Sequence, residues 1–159
     1  MNLSKVEKNS GICLAFLLLI ITLSSTFFFL GKLRVSPIEW ITFNSCSPTS
    51  FLYLIFFIVF MISKNGAFLI VTALPLYFLG TMSMFVLPWS GNYSVAHIGH
   101  IIMTLNIIWV IFVLLKHKEY RAMASGLLTG MLLFVPFIAF VQTYNKAHEE
   151  KMVQLFMQK

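Results

Sequence analysis

The sequence predicts an all-α integral membrane protein, with about five transmembrane helices in one bundle and an interfacial C-terminal helix as a further element. Three observations predict it. Only 10% of the 159 residues are charged, against roughly 25% in a soluble domain. Hydrophobic residues make up 59% of the chain and the mean hydropathy is +0.90, too apolar to cover a water-facing surface. The apolar residues are also grouped into runs separated by charged or turn-forming residues, and about 20 apolar residues suffice for one helical crossing.

The expected spans are 11–31, 46–63, 67–87, 94–115 and 121–141, with a tail over 142–159, all in a single domain. Lys5 and Lys8 precede the first run as they would in a secretory signal. The run continues through Phe27-Phe28-Phe29-Leu30, however, which is longer than a signal core and reads as an uncleaved span. Lys32 and Arg34 stop it. A loop with Pro37, Glu39 and Trp40 follows, and the tryptophan suits the headgroup region. The next apolar run, 51–62, is short for a crossing. Either the helix extends back through Ser45-Cys46-Ser47-Pro48, with Pro48 in its first turn, or the segment is re-entrant; the full span is favoured because the preceding residues are small and uncharged.

Lys64-Asn65-Gly66 turns the chain into the third span, which Pro75 should kink by removing a backbone donor. Pro88-Trp89-Ser90-Gly91-Asn92 is a turn signal. The fourth span ends at Lys116-His117-Lys118, and the fifth has Pro136 near its end. In the tail, Met152, Val153, Leu155 and Phe156 could form the apolar side of an interfacial helix. The loop between spans three and four has no Lys or Arg, whereas the next carries Lys116, Lys118 and Arg121. Positive residues favour the inside. The expected location is therefore the plasma (inner) membrane with the N-terminus inside and the C-terminus outside, although Lys32 and Arg34 oppose this.

The charge of +6 sits at span ends, where a basic excess meets headgroups, and no run is dense enough for nucleic acid. The expected partners are the lipid bilayer and either other membrane-protein subunits or a second copy of the chain. Asp is absent, and Glu7, Glu39, Glu119, Glu149 and Glu150 all lie outside the apolar runs. A proton- or sodium-driven carboxylate relay is hard to build from these residues. Cys13 and Cys46 form no CxxC pair and give no evidence of redox compartment.

Two helical faces carry chemistry. Ala122, Gly126 and Gly130 recur every four residues on the fifth span, with Ser125 and Thr129 beside them. Small residues permit close helix approach, either within the chain, which is favoured, or in a dimer. On the fourth span, Tyr93, His97, His100 and Thr104 share a narrow arc, and polar groups on membrane helices usually face the bundle interior or a wet cavity. Asn106 projects from nearly the opposite face. These four residues, with Glu39 from the first loop, form the candidate ligand-binding set. A metal set of His97, His100, Cys46 and Met84 is the sharper alternative, because soft sulfur ligands favour copper while imidazole also suits other transition metals. Haem would need opposed histidines, and only one span carries any. Interfacial histidines bonded to Tyr, Thr or water are the simplest reading.

No GxSxG elbow or HExxH helix is present, so no catalytic residue can be named. The leading expectation is a non-enzymatic subunit or accessory of a membrane complex. Alternatives are metal or small-ligand binding or transport at an outer-leaflet His97/His100 cavity, or a membrane enzyme acting on a lipid or quinone-like substrate.

Overall fold

A computed structural model describes residues 1–89 and 93–157, apart from the side chains of Tyr93, Val95, Phe156 and Met157. Ser90, Gly91 and Asn92 of the expected turn thus lie outside the described residues. So do the side chains of Tyr93 and Phe156.

The described chain is helical throughout. Helix α1 (Lys5–Thr26) starts at a capping box. The Ser4 hydroxyl accepts from Glu7 N at 3.3 Å, and Ser4 N donates to the Glu7 carboxylate at 2.7 Å. Such reciprocal bonds satisfy donors that a helix start leaves free. The helix continues as a π-helical segment, Phe27–Lys32. Helix α2 (Pro37–Phe43) repeats the device with Ser36 and Glu39, and Pro37 sits in the first turn where its missing N–H costs nothing. Helix α3 (Cys46–Ser63) begins at Cys46 with Pro48 in its first turn. The 51–62 run is therefore the body of a full-length helix.

The third apolar segment differs from the single kinked helix expected. It comprises α4 (Ala67–Ile70), α5 (Ala73–Leu76), a π-helical stretch (Tyr77–Thr81) and α6 (Ser83–Val86). Pro75 explains the break. It lies in the first turn of α5 and has no N–H to offer the Val71 carbonyl one turn earlier, so the helix restarts instead of continuing. Helix α7 (Tyr93–Lys116) is unbroken. Helix α8 (Tyr120–Ala147) runs through Pro136 and beyond the expected end at 141, taking in the polar residues 142–147. Asn145 Nδ2 donates to Thr42 O at 3.0 Å, which fastens this extension to α2. Helix α9 (Glu149–Met157) forms where the interfacial helix was expected. Among the described residues, five helical segments are long and apolar enough to cross a membrane: Lys5–Lys32, Cys46–Ser63, Ala67–Val86, Ala96–Lys116 and Tyr120–Ala147.

Helix α7 lies between α1 and the third segment. On one side Asn106 Nδ2 donates to Leu14 O at 3.3 Å, and the Trp109 ring fills the space a Cβ on Gly11 would need. On the other side Met103 packs on Gly80, where a side chain would collide with its sulfur end. Phe57 of α3 completes the core, 5.8 Å from the Trp109 ring.

Helix α8 packs on the broken segment through its glycines. A Cβ on Gly126 would collide with the Ile70 side chain and lie 2.6 Å from Ala67 O, and one on Gly130 would collide with Val71 O. Ala122 is partly covered at the same seam, with its Cβ 3.5 Å from the place of a Cβ on Gly66. The small-residue face is thus used within the chain. Because the obstacle is main chain, it cannot rotate away. Gly126→Leu or Gly130→Leu should therefore cost at least the about 1–3 kcal/mol typical of overpacking. Leu132→Phe, at a position 79% exposed, should change thermal stability far less; equal tolerance would contradict this packing.

Candidate functional site

The arc of α7 predicted to carry ligand-binding groups starts at Tyr93, whose side chain lies outside the described residues, and its next member, His97, comes one turn into the helix. His97 is 1% exposed and His100 is 5% exposed. Their rings meet edge to face, with centroids 5.8 Å apart and planes at 72°. The segment before α7 covers them. Trp89 stacks on His97 with centroids 4.1 Å apart and planes within 9°, while its Nε1 donates to Met84 O at 2.8 Å. The His97 Nε2 atom lies 3.0 Å from Pro88 O. A carbonyl can only accept, so Nε2 carries the proton and, in the neutral ring, Nδ1 presents a lone pair.

That lone pair has no partner. His97 Nδ1 and His100 Nδ1 are both buried and make no hydrogen bond. Leaving a buried polar atom unpaired costs about 1–3 kcal/mol. One turn deeper, Thr104 donates to His100 O at 2.8 Å and sits 2.9 Å from the Thr81 hydroxyl on the π-helical stretch. The polar arc therefore meets the third segment at His100, Thr104 and Thr81.

Other members of the predicted sets go elsewhere. The Glu39 carboxylate accepts from Ser36 N and Ser36 Oγ, both at 2.9 Å, and pairs with Lys151 of α9. The Cys46 thiol donates to Asn44 Oδ1 at 3.1 Å, and Asn44 Nδ2 bonds Ser25 Oγ of α1 at 3.0 Å. Met84 contributes its carbonyl to the Trp89 bond. Among the described residues no three His, Cys, Asp or Glu side chains gather around a position for one ion, so neither Glu39 nor Cys46 completes a metal set with the two imidazoles. Copper or another transition metal would have to be held by the histidines with other donors.

Several participants were not legible as such. Thr81 looked like one hydroxyl in an apolar run, and the Pro88 carbonyl has no side-chain signature. At the opposite end of the bundle, the Glu7 carboxylate takes Lys116 Nζ at 2.6 Å and His117 Nε2 at 3.2 Å. The N-terminal amine donates to Lys64 O at 2.7 Å. A carboxylate near the first turn and a Lys-His pair at the end of α7 could have suggested this cluster.

Comparison with protein families, curated proteins and solved structures gives no match.

Glu39 yields a pH dependence. The Lys151 ammonium, with the Ser36 donors, holds its carboxyl well below the usual carboxylate range, at about 2, while Lys151 is raised in turn by Glu39. An acid with a depressed folded pKa stabilises the fold above its unfolded value, about 4.3, and loses that contribution as pH falls through that value towards the folded one. A spin label at Gln154 of α9 should therefore become mobile between these limits. Glu39→Gln should make it mobile at neutral pH and abolish the acid step; an unchanged spectrum would show that this pair does not hold α9.

Proposed function

We propose that the chain is an integral membrane protein, a non-enzymatic accessory that holds a small molecule at the covered end of α7. One observation carries the binding part: two buried imidazoles side by side, each with an unpaired Nδ1. Among the described residues an indole face and a main-chain carbonyl meet the His97 ring, and these bind and orient without supplying a nucleophile or a carboxylate base.

Membrane insertion is supported by the outer surface. Ile55, Ile58, Ile108, Phe112, Leu132 and Leu133 are all more than half exposed, an arrangement suited to lipid and costly in water. Lys5, Lys8, Lys64, Lys116, Lys118 and Arg121 share the end where the N-terminal amine meets Lys64, and this end is assigned to the inside. Attachment to a larger membrane complex is a second reading, favoured by the outward face of α8, where Leu128 is 62% and Leu132 is 79% exposed beside the exposed Ser125 and Thr129.

Ser94→Cys should react with an impermeant thiol reagent from outside, and Lys118→Cys only after permeabilisation; the reverse pattern would invert the orientation. Protein purified from its own membranes should carry a small molecule detectable by native mass spectrometry. His97→Phe and His100→Phe should lose that mass while the protein stays folded. Wild-type protein without a bound mass, and variants that merely melt earlier, would make the pair structural.

A further inference from the structure

We infer that the molecule held at His97 and His100 is a neutral, lipid-soluble alcohol or phenol whose hydroxyl donates to His97 Nδ1. This rests on the binding reading above and names the chemistry of that same site.

The argument starts from one carbonyl. Pro88 O, 3.0 Å from His97 Nε2, can only accept, so it draws the ring proton to Nε2 and leaves Nδ1 as an acceptor. A ligand meeting this atom must donate. Carbonyl, ether and ester oxygens cannot, whereas a hydroxyl can. His100 Nδ1 is also buried and unpaired. No bond fixes its tautomer, so it can meet a hydroxyl as donor or as acceptor. A hydroxyl is the smallest group that serves one nitrogen as donor and the other as acceptor.

Charge argues for neutrality. Burying an ion requires a counter-charge close by, and the groups covering His97 are an uncharged indole and a carbonyl. Glu39 is committed to Ser36 and Lys151, and Glu7 to Ser4, Lys116 and His117. A metal ion on the two nitrogens would keep its charge without a carboxylate to offset it. Position argues for lipid solubility. The rings lie near the start of an apolar helix, under a tryptophan that is itself 62% exposed, and tryptophan favours the membrane interface. An amphiphilic alcohol places its hydroxyl at this level with its apolar part among the exposed side chains.

The test uses the full chain in lipid nanodiscs with 15N-labelled histidine rings, and 1-octanol and octyl methyl ether as probes. At rest, His97 should show a protonated Nε2 and a bare Nδ1. 1-Octanol should shift the Nδ1 resonance saturably, and the ether should bind about tenfold more weakly or worse, the loss expected from one buried hydrogen bond. His97→Phe keeps a ring under Trp89 and should erase the preference. If that variant fails to fold, His100→Gln should weaken octanol binding while leaving the His97 tautomer readable. Equal response to both probes would mean apolar partitioning and overturn the proposal, as would a resting proton on Nδ1. A shift produced by Cu(I) or Zn(II) and not by octanol would also overturn it in favour of a metal. No shift with octanol, in protein that nevertheless carries a bound mass, would reject the alcohol class but keep the site. Absence of both would reject the site itself.

Discussion

Helix α8 can lie against the broken third segment only because Gly126 and Gly130 have no side chains, and much else in the bundle follows from that contact. Between α4 and α5 the backbone leaves the helical ladder, and Pro75 leaves the Val71 carbonyl without its usual donor. Irregular backbone at membrane depth persists only where protein covers it. The cover here is the glycine face of α8, so close that a Cβ at Gly130 would strike Val71 O. For a bundle in lipid, as proposed above, no hydrophobic gain drives helices together, and contact area with close backbone approach takes its place. The π-helical stretch follows directly on α5 and packs against α7, where Thr81 meets Thr104.

Charge is sorted along the bundle with equal economy. Each of three carboxylates is tied to cations at a helix end: Glu7 to Lys116 and His117, Glu119 to the N-terminal amine, and Glu39 to Lys151. The first two clusters tie the N-terminus to the end of α7 and the turn before α8. The third joins α2 to α9. Two serine-glutamate capping boxes do double duty, since Glu7 and Glu39 satisfy a helix start and then receive the cation. A carboxylate already hydrogen-bonded to backbone N–H groups is fixed in position, so its cation loses less freedom on pairing than an exposed partner would.

The spans were legible because length and apolarity are properties of composition, and 46–63 could be placed from the small uncharged residues before Phe51. The break at Val71–Thr72 was not. Pro75 pointed to a kink, but whether a freed carbonyl bends a helix or ends it depends on what lies alongside, here Gly130. The polar arc was legible from the alternating four- and three-residue spacing on α7 because burial of such an arc is a local requirement. The partners of Glu39 and Cys46 were not legible, since they depend on how α2 packs and on α9 folding back. The expected topology placed both in the leaflet of the histidines; the Ser36–Lys151 and Asn44–Ser25 contacts occupy them instead.

The imidazoles differ in kind from the unpaired threonine hydroxyls of the interior, although the Trp40 and Trp109 Nε1 atoms and the Tyr53 hydroxyl are buried without partners as well. Thr49 and Thr72 are also buried with hydroxyls that lack partners, but a hydroxyl on a helix has a local remedy. Ser50 donates to Cys46 O at 2.8 Å, Thr129 to Ser125 O at 2.9 Å and Thr143 to Ala139 O at 2.8 Å, the back-bonding pattern open to any Ser or Thr after a single rotamer change. Imidazole has no such route. Its ring is too rigid to fold both nitrogens onto its own helix, and at His97 the stack with Trp89 and the bond to Pro88 O fix its orientation. Turning Nδ1 towards a carbonyl would help nothing, because a lone pair needs a donor. Among the described residues none bonds to it, and Thr104 already donates to His100 O. The unmet need at His97 Nδ1 is therefore specific in sign as well as position, and this is the ground for the hydroxyl donor proposed above.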